Sequence, residues 1–384
     1  MNCPQLNKLT NRSGSNGESL SSQPVKTKIG QHFWQNTDAL GQKVLPYLEE
    51  NLFIPVQDFL QRPSKGFRAE LVSVGFKLST IMQGQESLSP IQLKRQQLCQ
   101  DLVEWLHGAS LIIDDYQDQS PVRRGQACYH DLHGGPQAIT AGNWAYFYPL
   151  RFIDQMELAP DAKLKLYETY FSTLEWAHLG QSLDISVSID QVAQDNIAEV
   201  VTFAAREKTG ALTALALQLG PLVEGLDPRL TDAIRKFGSA FGILLQKFDD
   251  IGNTLSSKEP EKRYEDIRAL RPSWIWSLVA EHFSADSYRE FTDQASQLKQ
   301  TFPQTETFDT WLQENKVYEL AKKVGKQEIK TLTASLDDKN QGPLHHLWQI
   351  QQDDSSLPLQ GPIVLLKSLC ERLEHAYTTS RWPE

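Results

Sequence analysis

Three aspartates, Asp114, Asp115 and Asp118, followed by Arg123, Arg124 and Gly125, are residues whose types and spacing suggest chemistry. On a helix of about 3.6 residues per turn, Asp114 and Asp118 share a face and Asp115 sits beside them. His107 lies near that face two turns earlier. Clustered carboxylates repel one another, so such a helix end is either solvated or neutralised by cations. Oxygen ligands one turn apart suit a hard ion such as Mg²⁺, which keeps waters and borrows phosphate oxygens. Taken alone, an acidic helix end in solvent is the plainer reading. The two arginines a few residues on shift the balance, because their planar forks suit phosphate.

The element that must carry these residues is an apolar helix with Val103, Leu106, Ser110 and Ile113 at core spacing, started by Ser89 as N-cap and Pro90 and ended by Pro121. From about Gly30 onward, apolar residues recur at helical spacing with few alternating runs, so the class is all-α. Helices are expected over Leu45–Leu60, interrupted near Pro55, then from Pro63 through Lys65 and Arg68. Others cover Ala138–Ile153, Asp161–Ile185 and Asp195–Leu219, with Gly220 and Pro221 as a break. A helix from Pro228 repeats the pattern of the first: an apolar run ending in Gln246, Asp249, Asp250 and Asn253. If the two helices face each other in a bundle, the acidic ends oppose across a gap that a metal-bound polyanion would fill. Apolar walls below such a mouth suit an isoprenoid diphosphate, whose ionisation leaves a carbocation that must be kept from water.

At these residues the chain resembles the trans-isoprenyl diphosphate synthases, the family of farnesyl and geranylgeranyl diphosphate synthases. The likeness runs from about Pro63 to Trp276 and rests on ordered motifs: DDxxD at Asp114–Asp118, Arg123-Arg124-Gly125, Gly180-Gln181 with Asp184, Lys208-Thr209, and Gln246 before Asp249-Asp250. It implies an isoprenoid-synthase bundle of antiparallel helices around a deep central cavity. It also implies Mg²⁺, with Mn²⁺ as an alternative, held by Asp114, Asp118 and Asp249 and supported by Asp115 and Asp250. Arg123, Lys208, Gln246 and Lys262 would contact the allylic diphosphate or its metals, and Thr209 would steady the developing cation. Lys65, Arg68, His107 and Arg124 match positions that bind isopentenyl diphosphate, and Arg271 stands where a second loop lysine is common. The implied activity is prenyl transfer by a homodimer, the proton leaving to pyrophosphate without a side-chain base.

The chain departs from the family pattern at Ser64, for a glycine, at Ala69, for a proline, at Asn253, for an aspartate, and around Pro260–Asp266. The resemblance also implies that bulk just before the first motif limits product length, so that small Ala109 and Ser110, five and four positions before Asp114, would leave depth for a C20 or longer product. Trp105, nine residues and about 13.5 Å of helix below the motif, would be a lower floor. Two other readings stand beside transfer: a class I terpene synthase that ionises and cyclises an allylic diphosphate on the same fold, and a non-catalytic subunit of a heteromeric synthase.

With 384 residues, 38 basic against 48 acidic and a net charge of −10, the chain lacks the broad positive surface of a nucleic-acid binder. Four scattered cysteines suit a reducing compartment, and a cytoplasmic location is expected. No run of 18 apolar residues is present, so no membrane span is expected. Residues 1–30 read as a polar, disordered tail, with an organelle transit peptide as the minority reading. Residues 31–384 read as a single all-α domain with C-terminal helices.

Overall fold

The polar N-terminal stretch lies outside the residues that the computed structural model describes, which are 33, 35–64, 66–254, 263–340, 342, 344 and 358–379. These form helices α1 (Ala39–Leu48), α2 (Ile54–Gln61), α3 (Phe67–Met82), α4 (Pro90–Asp118), α5 (Tyr129–His133), α6 (Gly135–Phe147), α7 (Leu150–Gln155), α8 (Pro160–Ser186) and α9 (Ile197–Ala205). There follow α10 (Ala211–Val223), α11 (Pro228–Thr254), α12 (Glu265–Arg268), α13 (Trp274–His282), α14 (Ala285–Thr301), α15 (Glu306–Glu314), α16 (Val317–Ser335) and α17 (Gln360–Thr378). Strand among the described residues is limited to a hairpin, β1 (Val122–Arg123) and β2 (Gln126–Ala127). The all-α reading holds.

Contacts divide the chain into two compact units. One comprises Ser89–Tyr167 with the described residues before Val74; the other comprises Val74–Leu88 and the chain from Glu168 onward. In the first, α4 is built as its sequence dictates. The Ser89 side chain accepts from the Gln92 N–H, Gln92 returns the bond to the Ser89 N–H, and Pro90 occupies the first turn where its missing donor costs nothing. Trp105 is fully buried on α4, stacked on Tyr148 at 4.2 Å and edge-on to Trp144 and Phe152. Burying side chains of this size contributes on the order of 2 kcal/mol each.

In the second unit α10 packs along α11, and Phe237, Phe241, Trp274, Trp276 and Phe291 fill the interior. The expected break at Gly220 and Pro221 does not occur, for α10 continues to Val223 with Pro221 inside it. Proline removes the bond to the carbonyl four residues earlier, that of Leu217. A Cβ on Gly75 would stand 2.3 Å from that oxygen, so it packs on a residue with no side chain to displace. Two helices also begin or break differently from expectation. Phe67 rather than Pro63 opens α3, and Tyr148-Pro149 separates α6 from α7. A π-turn, Arg206–Gly210, interrupts the helix read over Asp195–Leu219.

Candidate active site

In the first unit, α4 delivers its aspartates at its last turn and reverses at Gln119, which is left-handed at φ 52°. The chain then folds into the β1–β2 hairpin, where Arg123 pairs with Gln126 and the two-residue turn is Arg124 (φ 55°) and Gly125 (φ 75°). Two consecutive positive φ values are what a tight hairpin loop requires, which accounts for Gly125. The hairpin brings Arg123 back onto the helix. Its Nε donates to Asp115 Oδ1 at 2.6 Å, its Nη2 also contacts that oxygen, and Asp114 lies 3.8 Å away. Although burial opposes its charge, the Asp115 and Asp114 carboxylates raise the proton affinity of Arg123. Burial and the same Asp115 carboxylate push the Cys128 thiol up to about 12. Asp115 is therefore consumed as a buried counter-ion, whereas Asp114 and Asp118 are half-exposed.

Behind the aspartates lies a cluster of cations. Arg68 Nη1 donates to His107 Nε2 at 3.0 Å, so that nitrogen is the acceptor and the ring proton sits on Nδ1. Burial first, then the neighbouring Arg68, Arg124 and Arg123, hold the imidazole well below its ordinary pKa, and it is neutral. Glu104 accepts from the backbone N–H of Ala69 at 3.3 Å. Arg124 donates to the Arg62 carbonyl at 3.3 Å. Lys65, expected here, lies outside the described residues.

In the second unit, α8 and the π-turn approach closely at Gly180, where a Cβ would stand 2.6 Å from the Lys208 nitrogen. Lys208 Nζ consequently reaches Asp184 at 2.7 Å. Thr209 Oγ1 donates to Gln246 Oε1 at 2.5 Å, Gln246 Nε2 donates to Asp250 Oδ1 at 2.8 Å, and the Trp274 N–H donates to Asp250 Oδ2 at 2.7 Å. The amide is thereby fixed with its oxygen toward Thr209, so the hydroxyl points its proton at Gln246 and keeps its lone pairs for other use. Asp249 and Asp250 are buried. Burial, then Asp266 and Asp249, raise the Asp250 carboxyl well above the ordinary range. Burial and Asp184 push Asp266 up to about 6, against the pull of Lys208 and Arg271. Lys262 lies outside the described residues.

Polyprenyl synthetase sequences match residues 49–308. The chain belongs to that family. The copalyl diphosphate synthase of Talaromyces verruculosus is 30% identical over 63% of this chain and 22% of its own length. Geranylgeranyl pyrophosphate synthase paxG of Penicillium paxilli is 30% identical over 54% of this chain and 51% of its own. The chain thus spans about half or less of these curated relatives. A geranylgeranyl pyrophosphate synthetase structure from Pyrococcus horikoshii superposes with a TM-score of 0.63 at 18% identity, covering 87% of this chain and 94% of that one, which shows the shared fold.

Polyprenyl synthetases generally depend on a divalent metal. Among the described residues, no three His, Cys, Asp or Glu side chains gather to hold an ion unaided. Two half-exposed carboxylates one turn apart fit a hard cation that completes its shell with water and phosphate. Of the chain-length candidates, Ser110 is half-exposed, its hydroxyl donating to the His107 carbonyl at 2.8 Å. Ala109 is fully buried, its carbonyl 3.4 Å from a Cβ built on Gly142 of α6. Trp105 is occupied by the aromatic stack, about half a turn of helix away from Asp114 in direction. Sequence reasoning passed over Arg62 and Glu104: the hydrogen bonds of Arg62 to Ala127 and of Glu104 to Ala69 join segments distant in the chain, and the i, i+4 pair of Arg62 with Asp58 looks like an ordinary helix ion pair.

Proposed function

We propose that this chain joins isopentenyl diphosphate to an allylic prenyl diphosphate to give a product of C20 or longer. The observation that carries this reading is the gathering of Arg68 and Arg124 around His107 of the helix that also presents the aspartates, in a chain of net charge −10. An enzyme that only ionises one diphosphate has no need of a second basic cluster; one that also seats isopentenyl diphosphate does. Family membership and the likeness to geranylgeranyl pyrophosphate synthases support it.

On this reading Asp114, Asp118 and Asp249 hold Mg²⁺, which when bound offsets the charge of the departing diphosphate. Arg123, kept in place by Asp115, adds fixed positive charge that needs no reorganisation as the C–O bond breaks. Lys208, braced by Asp184, does the same, together with Lys262 and Arg271, while the neutral Gln246 amide contributes hydrogen bonds. The Thr209 lone pairs, aimed by the Gln246 amide, face the developing carbocation. Arg68, Arg124 and Lys65 grip isopentenyl diphosphate, His107 orienting Arg68, while its alkene attacks the cation and a proton is lost. Ser110, small and one turn below Asp114, leaves room for the growing chain.

Exposed Ile139 and Phe147 on α6, and Leu164, Phe171 and Leu179 on one face of α8, support a homodimer. Among the described residues no helix is long and apolar enough to cross a membrane. Pyrophosphate release by the purified chain tests the function. It is expected to require both diphosphates and to vanish with EDTA; release from an allylic diphosphate alone, with a hydrocarbon or alcohol formed, points instead to a terpene synthase.

A further inference from the structure

Arg62 is a guanidinium withdrawn from water, its side chain 2% exposed, and a chain bears that cost only where the charge is engaged. Its Nη1 donates to the carbonyl of Ala127 at 2.8 Å, Asp58 lies 3.7 Å from Nη2, and the cation sits 5.0 Å above the Phe59 ring. In return, Arg124 Nη1 donates to the carbonyl of Arg62. Each arginine thus binds the backbone of the other's segment, across 62 and 65 residues of chain.

A hairpin of two-residue strands is too small to hold itself, and Arg124 occupies a left-handed conformation that its surroundings must impose. Two ties supply the constraint. Asp115 holds Arg123 on β1 to α4, and Arg62 holds Ala127 on β2 to the end of α2, six residues before Arg68.

We propose that Arg62 is a positioning residue for the isopentenyl diphosphate site, its clamp on Ala127 setting the separation of Arg124 from Arg68. The inference rests on the reading of the chain as a prenyltransferase. Burial, with the nearby Arg123 and Arg62 charges, depresses the proton affinity of Arg124 even though the Glu104 and Asp115 carboxylates oppose the shift, and an anionic ligand at these arginines would add to that opposition.

The test is calorimetric binding of isopentenyl diphosphate to the full chain, with steady-state kinetics on both substrates, for Arg62→Gln and Arg62→Lys. Arg62→Gln is expected to weaken isopentenyl diphosphate binding and raise its KM about tenfold, as for one lost charge-assisted hydrogen bond. The KM for the allylic diphosphate stays unchanged. Arg62→Lys, which retains the charge and one donor, recovers most of that loss. If Arg62→Gln does not fold, Arg62→Lys carries the test, with a KM rise of about threefold confined to isopentenyl diphosphate. Unchanged isopentenyl diphosphate affinity in a folded variant, or an equal rise for both substrates, overturns the proposal alone. A wild-type chain that binds no isopentenyl diphosphate overturns the proposed function, and this inference with it.

Discussion

Asp114 and Asp115 are neighbours in sequence with separate fates, and the difference is testable. Asp115 is fully buried on Arg123, so Asp115→Ala removes the hydrogen-bonded partner of a buried guanidinium, leaving it only Asp114 at 3.8 Å, and is expected to cost about 3 kcal/mol in denaturant unfolding. Asp114, half-exposed and 3.8 Å from the guanidinium, makes the longer and weaker of the two ion pairs. Asp114→Ala is expected to keep its melting temperature within a few degrees while turnover falls about a hundredfold to a thousandfold, the scale of losing one preorganised charge-stabilising group. Normal turnover would remove Asp114 from the metal site. His107 gives a pH signature. Its folded-state pKa lies below the ordinary 6.5, so the unfolded chain binds the extra proton and stability is lost as pH falls below about 6.5. Against His107→Gln, wild type should lose up to about 1.4 kcal/mol per pH unit there; parallel stability curves would mean a charged imidazole. The aspartates were legible because i, i+4 spacing is local. The tie of Arg62 to Ala127 was not, because it spans 65 residues, and the i, i+4 pair of Arg62 with Asp58 resembles any surface pair on a helix.

At the scale of elements, α4 could be read almost whole: Ser89 and Pro90 mark its start, and its apolar run and acidic end fix its length. The hairpin after it could not. Arg123, Arg124 and Gly125 read as phosphate ligands, and nothing local signals that they also form a turn with two positive φ values. The π-turn at Lys208 and the passage of α10 through Pro221 were equally hidden, since packing against other segments decides both. The placement of the small residues on α4 refines the chain-length expectation. Ser110→Phe, on the half-exposed flank near Asp114, is expected to shorten the main product by at least one C5 unit, read by chromatography of the dephosphorylated alcohols. An unchanged product would show that this face does not bound the growing chain. Ala109→Phe instead overpacks the contact with α6 and is expected to cost about 1–3 kcal/mol.

For the whole molecule, helical periodicity gave the all-α class, and the ordered motifs gave the family that residues 49–308 match. What periodicity does not encode is the division of contacts into two units, since these recruit segments from distant parts of the chain. The measurement that bears most directly on the central claim is mass spectrometry of the product formed from farnesyl diphosphate, with and without isopentenyl diphosphate, in Mg²⁺. Growth by one or more C5 units, with the diphosphate retained and only when isopentenyl diphosphate is present, is the result predicted. A hydrocarbon or alcohol of unchanged carbon number, formed equally without isopentenyl diphosphate, would contradict it.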